Sequence, residues 1–75
     1  MALQAIINRD GIYCIVLEEY SEGVYVLAYE SSSLKPGPFR DHLQNDWAMA
    51  KRAARSVYGI EEKDWKVIPD THFNG

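Results

Sequence analysis

Two runs near the start of the chain are apolar at both alternating positions: "GIYCIVL" at residues 11 to 17 and "GVYVLAY" at residues 23 to 29. A half-solvated strand alternates apolar and polar side chains, so runs of this kind predict strands covered on both faces. Leu3 to Asn8 reads as a strand before them, with Arg9-Asp10-Gly11 as a turn in which Gly11 takes positive φ. Ile12 to Glu19 is the second strand, Ser21-Glu22-Gly23 the next turn, and Val24 to Glu30 the third strand. Val, Ile and Tyr dominate these runs, as the pleated surface favours. The first third of the chain is therefore predicted to be an antiparallel meander.

The period then changes. Phe39, Leu43, Trp47, Ala50, Ala54, Val57 and Tyr58 recur at three- and four-residue steps and fall within one stripe at 100° per residue. That spacing predicts a helix from near Phe39 to Tyr58. Gly59 fits the left-handed stop and Ile60 the apolar residue after a Schellman ending. The preceding "SSSLKPGPF" sets two prolines around a glycine, which cannot continue a ladder and reads as a connection. In "DWKVIPD", Trp65 and Val67 alternate with Lys66 and Ile68 until Pro69 ends pairing, which predicts a short fourth strand. A right-handed crossover through the helix would set it parallel to one of the first three strands, the first being best placed. The expected fold is one α+β domain over residues 1–75, in the order β-β-β-α-β, with a frayed tail from about residue 70.

One helix covers one face of such a sheet. The second strand offers Ile12, Cys14 and Val16 to one side and Tyr13, Ile15 and Leu17 to the other. The third offers Val24, Val26 and Ala28 against Tyr25, Leu27 and Tyr29. Each such side chain left wet forgoes about 1.5–3 kcal/mol, and an apolar patch of that size marks an interface. Tyr13, Tyr25, Leu27 and Tyr29 are the candidate interface residues. The expected partner is a second copy, giving a homodimer, or another protein. Trp47, in mid-stripe between Leu43 and Ala50, is the expected keystone of the core, and Tyr25 the exposed anchor.

Composition sharpens this picture. Of 75 residues, 47% are hydrophobic, which excludes a disordered tail. A domain so small buries only about 60–65% of its unfolded surface, leaving apolar area for a partner. Eight Lys and Arg face eleven Asp and Glu, a net charge of −3, so bulk attraction to nucleic acid or anionic lipid is not expected. A local nucleic-acid contact through Lys51, Arg52 and Arg55 is the binding alternative, although cations in the last turns of a helix also complement its dipole. Cys14 is the one cysteine, so no disulfide forms within the chain. With no secretory leader read at the N-terminus, the expected setting is reduced and cytoplasmic. No apolar run approaches the ~20 residues of a membrane span.

Candidate chemistry is sparse. His42 has Asp46 four residues on, but the spacing supplies no third or fourth metal ligand. His72 lies in the tail, Gly37 stands alone between prolines, and Ser31 to Ser33 have no base beside them. Glu61 to Asp64 reads as a solvated turn. No catalytic residue, metal or cofactor is expected. Gly11-Ile12-Tyr13 opens a strand, and Tyr25-Val26-Leu27 follows on the next. This pair resembles the two strands of the GIY-YIG nucleases. The resemblance implies roles for Tyr13 and for Arg40, with a metal-binding glutamate on a later helix. Leu27 stands where the second motif has glycine, and no later helix is predicted. The element order is also similar to that of HicB-like antitoxins, which carry a partial ribonuclease-H-like fold without its catalytic carboxylates. The favoured reading is a non-catalytic interaction module. A divergent nuclease and a nucleic-acid-binding accessory protein are its alternatives.

Overall fold

The computed structural model of the chain describes residues 1–34 and 37–71. Strand β1 (Ala2–Arg9) turns through Asp10 and Gly11 into β2 (Ile12–Tyr20). Both turn residues take positive φ, 55° and 78°, the twist that a two-residue hairpin requires. A bulge between Ile6 and Arg9 lies just before this turn. Strand β3 (Gly23–Tyr29) pairs antiparallel with β2, Leu27 opposite Val16 and Tyr25 opposite Glu18. A Cβ on Gly23 would lie 2.3 Å from the Gln44 carbonyl oxygen. The close approach of the next strand therefore requires glycine there.

That next strand departs from the sequence expectation. Residues 40–44 are not the first turns of a helix but β4 (Arg40–Gln44), paired antiparallel with β3. The helix α1 is shorter, Trp47–Tyr58. Phe39 and Leu43 are spaced by four, which satisfies a helical stripe and a two-residue alternation equally well. Asn45 and Asp46 decide between them. Asp46 sits in extended backbone at φ −155°, and its Oδ1 accepts the Met49 N–H at 2.9 Å as an N-cap. The far end behaves as the sequence predicts. Gly59 is left-handed at φ 73°, its N–H donating to Arg55, while the Ile60 N–H reaches back to the Ala54 carbonyl. The Arg9 guanidinium donates to the Tyr58 carbonyl, adding a cation at the helix C-terminus.

A single-turn 3-10 segment, Glu62–Asp64, leads into β5 (Lys66–Ile68). β5 pairs with β1 as expected, but antiparallel. The extra strand is the cause: β4 reverses the chain once more before the helix crosses back, so β5 arrives in the opposite sense. The sheet order is β4-β3-β2-β1-β5, antiparallel throughout.

The sheet separates two apolar layers. On one side Ala5, Ile15, Leu17, Val24, Val26 and Ala28 pack beneath Ala50, Ala54 and Ile60. Two alanines on the inner face of α1 let the helix backbone approach closely. Trp47 joins this layer only partly buried, so the small inner residues, not the indole, fill the centre of the helix contact. On the other side Ala2, Cys14, Val16, Tyr25, Leu27 and Tyr29 form a second layer.

Candidate interaction edge

The second layer corrects the expectation of an open face. Leu27 is fully buried, Tyr29 nearly so, and Tyr25 is 9% exposed; Tyr25 is not the exposed anchor that the sequence suggested. Tyr13, Tyr20, Leu34 and Ile68 pack against them, so the chain's own segments cover this side. Tyr20 meets Tyr25 edge to face at 5.8 Å between centroids. The Tyr25 hydroxyl donates to Glu22 at 3.4 Å.

Sequence reading passed over the group that organises this cover. Glu18 lies in β2 at 2% exposure. Its carboxylate accepts from the Tyr20 hydroxyl at 3.1 Å, the Thr71 N–H at 3.0 Å and the Thr71 hydroxyl. The Tyr29 hydroxyl in turn donates to Thr71 at 3.5 Å, and Asp70 pairs with the Met1 ammonium at 2.7 Å. A buried carboxylate is tolerated only when donors surround it, and here the end of the described chain supplies two of them. Asp70 and Thr71 are thus tied down; the expected fraying otherwise concerns residues 72–75, His72 included, which lie outside the described residues. Burial, reinforced by the negative Glu18, pushes the Tyr20 phenol up to about 12. Burial also raises Tyr29 and the Cys14 thiol. The only signal in the sequence was an acidic residue at the end of an unbroken apolar run.

The basic flank is largely engaged within the chain. Lys51 pairs with Glu62 at 2.9 Å and Arg55 with Glu61 at 3.6 Å, while Arg52 is exposed beside them. Tyr13 and Arg40 do not converge. Tyr13 packs on the second layer, whereas Arg40 lies opposite Ala28 and reaches toward the Tyr58 hydroxyl at 3.5 Å on the helix side. Among the described residues no three His, Cys, Asp or Glu side chains are grouped to hold a metal ion. No described helix is long and apolar enough to cross a membrane.

Exposed apolar groups gather elsewhere. Seven large hydrophobics are exposed among the described residues, and three border β4, an outermost strand of the sheet: Phe39 (47%), Leu43 (44%) and Val57 (66%). Met49, Ala53 and Val57 form one row along α1 at four-residue steps. A cleft of about 130 Å³ opens between this row and β4, lined by Val26, Arg40, His42, Ala53, Val57 and Tyr58. Phe39 and Leu43 lie on the other side of the strand by its two-residue alternation, Leu43 opposite Tyr25. The Arg40 guanidinium stands 5.7 Å from the Phe39 ring centroid at the start of the strand.

No protein-family model, curated protein or solved structure matches this chain.

Proposed function

We propose that this α+β domain is a small non-catalytic protein-interaction module that takes an extended segment of another protein along β4. The observation that carries the reading is the gathering of three exposed apolar side chains, Phe39, Leu43 and Val57, around one outermost strand while the middle of each sheet face is covered. An outer strand offers unpaired backbone groups, and pairing with an added strand is a general mode of peptide recognition. The opposite edge is blunted by length: β5 has three residues and ends at Pro69. Self-pairing is the weaker reading. An antiparallel register that sets Phe39 against Leu43 of a second copy also sets Asp41 against Asp41, and like charges directly opposite destabilise. Nucleic-acid binding is disfavoured by the net charge of −3 and by the carboxylate partners of Lys51 and Arg55.

The test places a photo-crosslinking amino acid at Leu43 or, on the far edge, at Val67, in the cells that make the protein. A discrete adduct at Leu43, absent at Val67 and lost when Val57→Lys is added, is the expected result. Equal adducts at both edges, or none at either, would discard β4 as the docking strand.

A further inference from the structure

The groove beside β4 has a direction. An antiparallel guest strand runs from Gln44 toward Arg40, so its last residue arrives where β4 begins. Three features meet at that end. Arg40, His42 and Gln44 project to the helix side, in register with Ala28, Val26 and Val24. The cleft of about 130 Å³ has an apolar lining from Val26, Ala53 and Val57. Arg40 and Tyr58 line the same cleft, the guanidinium 3.5 Å from the phenol oxygen.

We infer that the groove captures the free carboxyl terminus of an extended polypeptide. The final residues of the guest pair with β4, its terminal apolar side chain enters the cleft, and its carboxylate meets Arg40 and Tyr58. This rests on the reading of β4 as the docking strand and adds what the guest must carry. A planar guanidinium suits a carboxylate better than any other common group on a polypeptide. The C-terminus of α1 lies nearby and its partial negative charge opposes an anion. Arg9 already spans the Tyr58 carbonyl there, and a charge-assisted bond outweighs a dipole effect confined to the last turn. The cleft holds one modest aliphatic side chain at most, so a terminal residue of Val or Leu size fits and a Trp does not.

Two pools of short random peptides distinguish the claim from its foundation. One pool has free carboxyl termini and the other has amidated ends; both are presented to the full chain. The free-acid pool should enrich peptides ending in an aliphatic residue, and the amide pool should not. For an enriched peptide, Arg40→Gln should weaken binding by about tenfold or more, and Val57→Lys should abolish it. Both positions are exposed, and unchanged thermal midpoints would show that folding is intact. Equal enrichment of amides, no enrichment in either pool, or binding indifferent to Arg40 would overturn carboxylate capture. A Leu43 crosslink obtained alongside any of those results would leave the docking strand standing.

Discussion

The two faces of this sheet are closed by opposite means. Beneath α1 every fully buried side chain is apolar, and the fit comes from small residues, Ala50 and Ala54 against Ala5 and Ala28. On the other face large side chains with polar tips dominate, Tyr25 and Tyr29 with Tyr20 at the margin, and a buried carboxylate binds the cover in place. The first closure is dispersion and area and has no directional requirement. The second depends on hydrogen bonds to Glu18, which must be made in full or the buried charge becomes costly. A sheet apolar on both sides therefore does not require a partner. It requires a second cover, and a few residues suffice when a polar clasp fixes them.

The largest expected effect tests the helix side. Leu17 is fully buried there, and Leu17→Ala should cost about 2–5 kcal/mol. Leu27, equally buried on the clasped side, is covered by short segments that can settle into a vacated space. Leu27→Ala should therefore fall in the lower half of that range. Urea unfolding of both variants measures the difference. A Leu27→Ala loss well above that of Leu17→Ala would mean that the clasped face is the more rigidly packed one.

The second expected effect tests the clasp itself. Thr71→Val keeps the shape but removes the hydroxyl that donates to Glu18, and should cost about 1–3 kcal/mol. Cys14 lies fully buried in the same layer and reports locally. Its thiol should react with a labelling reagent faster in Thr71→Val than in a helix-side variant of equal stability, such as Ile60→Val chosen at matched urea. If labelling follows global stability alone, whichever side carries the change, the clasp does not open independently.

The same contrast explains what the sequence made legible. The strands β1 to β3, their turns, and the Gly59–Ile60 helix ending were readable because each depends on residues adjacent in the chain. The start of α1 was not, because Phe39 and Leu43 fit two periods and only the Asp46 cap separates them. The direction of β5 depends on the same choice, because β4 adds one reversal before the helix crosses back. The clasp was illegible for another reason. Glu18 and Thr71 are 53 positions apart, and nothing local marks a glutamate at the end of an apolar strand as buried. The interaction edge is half legible: Phe39, Leu43 and Val57 are plainly apolar, but their spacing also fits a buried helical stripe. A helix two turns longer would centre the Trp47 indole over the sheet, whereas Tyr25 is buried on the far face by Tyr20 and its neighbours, a cover that no local pattern signals.

The smallest expected effect is a dependence on alkaline pH that only the clasped face should show. The fully buried helix-side residues carry no ionisable group. On the other face Tyr20 titrates near 12 in the fold against 10.0 in the unfolded chain, and Tyr25 and Tyr29 are raised as well. A phenol that holds its proton more tightly when folded adds stability in full below pH 10. That stability is lost as the pH rises from 10 toward 12, because the unfolded chain gives up its proton first. Tyr20 is partly solvated, so the loss is modest compared with removing a buried leucine. Thermal midpoints from neutral pH up to about 12 should decline over that window, and Tyr20→Phe should decline less steeply, having no phenol to ionise there. An identical decline in Tyr20→Phe would assign the alkaline sensitivity to groups outside the clasp, and the contrast between the two faces would then rest on the leucine pair and the labelling of Cys14.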